Sequence, residues 1–273
     1  MKILVTGATG RVGQFLVKQL HEAGHQVVAL TRNPAKANFP ADVEVIQGDL
    51  TRPSTLEEAL KDVKGLHLIN FGGDDYTPLQ TGEQIVQMAQ AAGVERVTVL
   101  LGGQKGALEH AVESSNMAWT LLQPVEFMTG ILDWAASIRK ERCVSLPFPD
   151  RKTAIVHEAD IAAVALRALT EDGHAGKTYP ITGPEVLSPR KIIGMISQAL
   201  GQEIQLVELN EAEARVKLKA EGYPQEVIEY FMWIYGNTPE IGYTVVPTVE
   251  HVTGHPARTC AQWVQENLGQ FRA

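Results

Sequence analysis

Through the first half of the chain, short aliphatic runs alternate with longer stretches of helical period. Apolar runs rich in β-branched residues fall at 2–6, 26–30, 43–46, 65–70, 96–101 and 119–122, and each predicts a strand. Segments at 11–23, 54–61, 82–92 and 107–116 carry apolar residues at helical spacing and predict the intervening helices. Strand, helix, strand in succession is the pattern of right-handed crossovers between parallel neighbours. The strands are too uniformly apolar to leave one face in water, so helices must cover both sides. The expected fold class is α/β, built on a doubly wound parallel sheet.

Beyond Pro124 the pattern changes. Helical periodicity returns near 127–140, 158–169 and 188–200, with a proline-rich stretch at 146–150 and candidate strands only near 178–182 and 204–209. Two domains are expected: residues 1–125 around the sheet, and residues 126–273 as a smaller C-terminal α/β lobe partly interleaved with the first.

Charge narrows the partners. Against 24 Lys and Arg stand 32 Asp and Glu, a formal net charge of −8, and no basic cluster breaks that balance. Direct nucleic-acid binding is therefore not expected, because affinity for phosphate backbones comes from gathered cations. No window approaches the ~20 uninterrupted apolar residues that a membrane helix needs, and the opening run at 2–6 is broken at once by Gly7 and Gly10, unlike a secretory leader. A cytoplasmic protein, monomer or homodimer, is expected. Cys143 and Cys260 match neither a metal-site spacing nor a disulfide framework and read as free thiols; no metal is expected.

The candidate chemistry begins where the first strand ends. Gly7-Ala8-Thr9-Gly10-Arg11-Val12-Gly13 has the spacing G-x-x-G-x-x-G between a strand and a helix. Gly7 permits a tight turn, Gly10 admits a pyrophosphate close to the backbone, and Gly13 lets helix pack on strand. The N–H groups around Thr9, Arg11 and Val12 and the helix dipole then favour a phosphate, which makes the first domain Rossmann-like and NAD(P)-binding. An NAD site normally places an acid at the end of the second strand, but this chain has Thr31-Arg32-Asn33 there. Arg32, with Arg11 nearby, suits a 2′-phosphate, so NADP(H) is expected in preference to NAD(H); the alternative for Arg32 is a solvated surface charge. Asp49 and Leu50 follow the third strand. Asp49 is a candidate acceptor for the adenine amino group or, alternatively, a helix-initiating acid before Ser54.

With these residues in view, the sequence resembles the NmrA-like branch of the atypical short-chain dehydrogenase/reductase superfamily over nearly its whole length. The resemblance rests on Val5-Thr6-Gly7-Ala8-Thr9-Gly10, Ala29-Leu30-Thr31-Arg32-Asn33-Pro34, Gly48-Asp49-Leu50, Trp119-Thr120-Leu121-Leu122-Gln123-Pro124, Val156-His157-Glu158-Ala159-Asp160-Ile161-Ala162, and Gly176 to Pro184 followed by Leu187-Ser188. It implies either an NADPH-dependent reductase of quinones, dyes or alkaloids, or a redox-sensing regulator that binds the cofactor without turning it over.

Departures from the superfamily pattern matter as much. Standard members use a Tyr general acid with a Lys four residues later, whose ammonium lowers the phenol's pKa. Here Tyr76, Tyr179, Tyr223, Tyr230, Tyr235 and Tyr243 are followed at that distance by Gln80, Gly183, Val227, Ile234, Pro239 and Pro247. Gly102-Gly103 stand where small hydroxyl residues are frequent, and Gln123 where many relatives have Arg. Hydride transfer survives these losses, because a quinone or conjugated iminium accepts hydride while solvent supplies the proton.

In an open α/β sheet the ligand lies outside the carboxyl ends of the strands. Phe71, Gly72, Gly102, Gly103 and Pro124 are thereby expected along the cofactor, and Gln104, Val125, Phe127, Met128 and Trp134 along a flat apolar substrate, although Met128 and Trp134 at helical spacing also read as core. The aromatic segment 223–235 reads as a lid, a dimer contact or the core of the small lobe. Tyr76, Lys105 and His110 are candidates for a catalytic proton donor. The expected function is an NADPH-dependent reductase transferring hydride to a quinone or similar conjugated small molecule; the alternative is a non-enzymatic NADP(H) sensor. A nucleotide-sugar epimerase or dehydratase suffers most from the missing Tyr and Lys.

Overall fold

The structure, a computed structural model, describes residues 1–72, 77–103 and 105–272. In chain order the first elements are β1 (Lys2–Val5), α1 (Gly13–Glu22), β2 (Gln26–Thr31), β3 (Glu44–Gln47), β4 (Gly65–Ile69), the short pair β5 (Phe71–Gly72) and β6 (Thr77–Pro78), α2 (Gly82–Ala91), β7 (Arg96–Leu100), α3 (Ala107–Glu113) and β8 (Ala118–Pro124). Then follow α4 (Ala135–Glu141), β9 (Cys143–Leu146), α5 (Glu158–Thr170), β10 (Lys177–Ile181), α6 (Pro189–Leu200), β11 (Gln205–Glu208), α7 (Glu211–Ala220), α8 (Gln225–Gly236), α9 (Thr248–Thr253), α10 (Cys260–Glu266) and α11 (Leu268–Phe271).

The chain forms two compact units. The first comprises Met1–Pro124, Glu158–Ile181 and Thr248–His255, and the second Val125–His157, Thr182–Pro247 and Pro256–Ala273.

The first unit is a seven-stranded parallel sheet in the order β10-β8-β7-β4-β1-β2-β3. The strand order reverses at β1, whose neighbours are β2 on one side and β4 on the other, so a crevice must open above that pair. Leu4, Leu66, Leu68, Val97 and Val99 from the strands meet Ile85 of α2 and Leu108 of α3 in one buried cluster. Burying a side chain of this size contributes about 1.5–3 kcal/mol, which fixes the register of each strand. The predicted strand near 178–182 is β10, and it extends this sheet beside β8. Its Pro180 fits that place, because an edge strand has one row of N–H groups that need no ladder partner.

Two predicted helices come out differently. The stretch 54–61 forms a 3₁₀ turn at Pro53–Leu56 followed by turns, ending at Asp62 with a φ of 60°. Thr55 Oγ1 donates to the Arg52 carbonyl at 2.8 Å, a local bond that competes with a continuous helix. The stretch 127–140 begins as a continuous 3₁₀ segment over Met128–Trp134, with Gly130 inside it, before α4 takes over.

The second unit packs α4, α6, α10 and α11 around Ile131, Ile138, Ile192, Ile196, Trp263 and Phe271, beside the parallel pair β9 and β11. The helices start where their sequence allows it: Ser188 caps α6 by accepting from the Lys191 N–H, and Asn210 with Glu213 forms a capping box on α7. Cys143 and Cys260 are free thiols, and burial pushes the Cys260 thiol up to about 12.

One polar pair sits inside the sheet. His67 on β4 and Thr98 on β7 are register partners, both fully buried, with Nδ1 of the ring 2.8 Å from Thr98 Oγ1. Nε2 has no hydrogen-bond partner among the described residues, and burial pushes the imidazole from 6.5 down to about 4. The folded state therefore binds fewer protons than the unfolded chain between those values. The contribution is intact above pH 6.5 and is lost as the pH falls to about 4, about 3 kcal/mol in all. In urea titrations across that range, His67→Gln should lose less stability than the parent; equal losses would show that other groups set the acid limit.

Candidate functional site

Position dictates the chemistry at the end of β1. Thr6 donates both its N–H and its Oγ1–H to the His67 carbonyl, at 3.0 and 2.9 Å, and its Oγ1 accepts the Ile69 N–H at 3.2 Å. The strand ends β1 and β4 are thus locked together just below the turn. Gly7 then takes a φ of 59°, in the left-handed region, and its carbonyl receives the Gly10 N–H at 2.8 Å. A Cβ on Gly13 would sit 2.2 Å from the Gly7 oxygen, closer than any real contact, so the approach of α1 to the turn requires glycine there. Thr9 Oγ1 lies 3.2 Å from Thr31 Oγ1, tying the turn to the end of β2.

α1 starts without a cap. Val12 occupies the capping position and supplies no side-chain acceptor, and no acid stands in the first turn. Among the described residues, the backbone N–H groups of Arg11, Val12 and Gly13 have no hydrogen-bond partner, while Thr9, Gly10 and Arg11 are exposed. Orphan donors on a positive helix end make a site for an anion. Arg32 is exposed at the end of β2, its carbonyl accepting from Gln47 at 3.3 Å.

The other predicted cofactor residues gather at the same edge of the sheet, with differing environments. Asp49 is engaged locally: its Oδ1 accepts from Thr51 N at 2.9 Å and Thr51 Oγ1 at 2.7 Å, and its Oδ2 faces Arg52 at 3.2 Å. Partial burial pushes its carboxyl up, but the Thr51 bonds and Arg52 outweigh it and hold the group below its usual range. The Leu50 side chain is buried in the core and its carbonyl takes the Thr81 hydroxyl at 2.5 Å. Phe71 and Gly72 lie in β5, Gly102 and Gly103 are exposed after β7, and Pro124 ends β8. Asn70 was not singled out from the sequence; it is a buried polar residue at the end of β4 whose Oδ1 accepts the Gly102 N–H at 3.1 Å, bracing two strand ends. The available signal was an amide closing an apolar run.

Of the candidate proton donors, Tyr76 lies outside the described residues, as does the substrate candidate Gln104. Lys105 and His110 both lean on Glu113, at 2.5 and 3.7 Å, in a surface cluster. His157 Nε2 faces Glu266 at 3.0 Å.

Within the second unit, Phe127 and Trp134 line a cavity of about 130 Å³ together with Ile131, Ile155 and Tyr235. Val125 does not line it, and Met128 is fully buried in the apolar core. Its polar groups come from three separate segments. Arg151 grips Glu126 with two bonds of 2.9 and 2.7 Å, Thr153 adds a third at 3.0 Å, and the guanidinium lies 4.2 Å from the Tyr235 ring centre. Burial would lower the Arg151 pKa, but the Glu126 bonds raise it further, and burial together with Glu126 pushes the Tyr235 phenol up to about 12. Tyr235 is therefore a hydrogen-bond donor throughout neutral pH. The aromatic segment 223–235 divides its roles: Met232 is buried, Tyr230 and Trp233 are 55% and 59% exposed, and Tyr235 faces the cavity.

Residues 7–104 match a family described as NAD(P)H-binding. The chain is 32% identical to an NAD(P)H azoreductase of Xenophilus azovorans over 99% of both chains. It is 34% identical to a (4-alkanoyl-5-oxo-2,5-dihydrofuran-3-yl)methyl phosphate reductase of Streptomyces griseus, covering 98% of this chain and 99% of the relative. The NADPH complex of an NADPH-dependent quinone oxidoreductase from Escherichia coli superposes with a TM-score of 0.82 at 26% identity, over 97% and 99% of the two chains. The chain belongs to the NAD(P)-binding atypical short-chain dehydrogenase/reductase superfamily.

For a member of this superfamily, the cradle fits the diphosphate of a dinucleotide: among the described residues it presents unpartnered N–H groups, a first helical turn without an acid, and an exposed glycine at position 10. Gly13→Ala forces a methyl against a backbone oxygen, and a loss on the order of 3 kcal/mol is expected, with a lower Tm and weakened NADPH binding. Thermal unfolding with and without NADPH checks it, an unchanged Tm counting against the packing argument.

Proposed function

We propose that this protein is an NADPH-dependent reductase that transfers hydride to a quinone or a similar conjugated small molecule. The observation that carries the reading is the uncapped N-terminus of α1, held open behind Gly7, Gly10 and Gly13 beside an acid-free end of β2. Gly7, Thr9, Gly10, Arg11, Val12 and Gly13 hold the diphosphate, and Arg32 with Arg11 holds a 2′-phosphate, which favours NADPH over NADH. Asp49, Leu50, Phe71, Gly72, Gly102, Gly103 and Pro124 flank the rest of the cofactor, with Asn70 fixing the Gly102 backbone. The chain is read as an NmrA-like member on the segments quoted from the sequence.

When bound, a reduced nicotinamide supplies hydride, and one proton from solvent completes reduction of a quinone to its hydroquinone. The chain's own residues bind and orient. Phe127, Ile131, Trp134 and Ile155 give the ring of the acceptor an apolar berth. Tyr235 keeps its proton and donates a hydrogen bond to an acceptor oxygen, while Arg151, neutralised by Glu126, stays in place. An unactivated ketone needs a strong acid in the site; a quinone does not, which accords with the missing Tyr-x-x-x-Lys pair.

The sensor alternative is set aside, because the full-length relatives compared above are named as reductases.

Purified protein given NADPH and a panel of quinones, azo dyes and cationic dyes should oxidise the cofactor, followed at the nicotinamide absorbance band; binding with no oxidation by any acceptor overturns the proposal. Arg32→Ala should weaken NADPH binding about 10- to 100-fold and leave NADH unchanged. An unaltered NADPH-to-NADH ratio removes the phosphate assignment. Tyr235→Phe should raise the acceptor KM about tenfold at constant cofactor affinity, and an unchanged KM detaches the cavity from the acceptor.

A further inference from the structure

A second, larger cavity in the second unit, of about 440 Å³, has no described lining residue in common with the acceptor berth. Arg139 and Lys140 reach it from the last turn of α4, Arg142 from the residue at which α4 stops, and Arg272 from just beyond α11. The fold thus collects four cations from two distant stretches of a chain whose net charge is −8. No Asp or Glu is among the described lining residues. Among the described residues, none of the four has a carboxylate within ion-pair distance, whereas Arg151, Arg190 and Arg215 of the same unit are each paired.

Two of these charges have a structural use, since cations favour the negative end of α4. That does not account for Arg142, which lies past the helix, or for Arg272, which belongs to another element. Arg142 moreover has a φ of 49°, a left-handed conformation that glycine or asparagine adopts at lower cost. Arg139 also donates to the Gln270 carbonyl, which ties α4 to the C-terminal segment. Crowded like charges repel, and an anion placed among them converts that repulsion into attraction. Ile138 and Phe271 provide an apolar floor beneath the charges.

We propose that this cavity binds a small organic oxyanion carrying at least two negative charges, a polycarboxylate or a phosphate ester, with its carbon skeleton on the apolar floor. The guanidinium forks of Arg142 and Arg272 suit paired oxygens, and the volume exceeds what one inorganic phosphate fills. By mass action such a ligand stabilises the second unit, by an amount that grows with the logarithm of its concentration once the site is mostly filled. The assignment is independent of the cofactor reading.

Calorimetric titration of the whole chain, saturated with NADP+ so that the α1 cradle is not the site measured, tests it with citrate, fructose 1,6-bisphosphate and inorganic phosphate as probes. At least one of the two organic anions should bind more tightly than inorganic phosphate, weaken with added salt, and lose about tenfold in affinity in the Arg142→Gln/Arg272→Gln double variant. Which organic probe binds decides between carboxylate and phosphate ester. Where the double variant does not fold, Arg272→Gln alone, at an exposed position, should still lose about threefold. Equal binding of phosphate and both organic anions overturns the assignment of an organic ligand, and binding unaffected by the substitutions, or none at all, overturns the site.

Discussion

Contact between a helix and a backbone oxygen governs the arrangement of the first unit. α1 approaches the end of β1 so closely that the Gly7 carbonyl occupies the place a Gly13 side chain would need. The start of α1 has no capping side chain, and among the described residues the Arg11, Val12 and Gly13 amides meet no protein acceptor. A conventional Ser or Asp cap would satisfy one of these donors and remove it from use by an anion. The positive end of the helix is kept available at some cost in helix stability, and the tight packing of Thr6 against β4 compensates by holding the strand ends rigid.

Much of this was legible because it is local. Strand and helix periodicity, glycine spacing and the acid-free end of β2 all lie within short windows of sequence, so the parallel sheet and its cradle follow from reading along the chain. β10 was harder, since a five-residue strand with an internal proline gives a weak signal and its partner β8 lies more than fifty residues away. The stretch 54–61 carried helical spacing but also a proline and a threonine whose hydroxyl bonds backward, and the local bond won. Asn70 and the group formed by Glu126, Arg151 and Tyr235 depend on tertiary proximity across 25 to 84 positions, which no periodicity encodes. The aromatic run near 230 drew notice without revealing that one of its rings would stack beneath a paired arginine.

The two polar interiors follow opposite rules. In the sheet, among the described residues only one ring nitrogen of His67 is satisfied, by Thr98, and burial keeps the imidazole neutral. In the second unit, Arg151 keeps its charge although burial opposes it, because Glu126 supplies two bonds and Thr153 fixes the carboxylate. A buried ion pair of this kind adds little net stability compared with apolar packing, but losing either partner strands the other. Its value lies in defining where a polar edge stands within an otherwise aromatic and aliphatic wall.

The discontinuity of the first unit bears on biosynthesis. Its sheet is not complete when β8 leaves the ribosome, because the edge strand β10 and the helices α5 and α9 arrive only after intervening segments that belong to the other unit. Until then β8 exposes an unpaired ladder, the template on which chains stick to one another. A nascent or truncated chain ending near residue 125 is therefore the species a chaperone would need to shield, and its hazard follows from strand order, not from sequence composition.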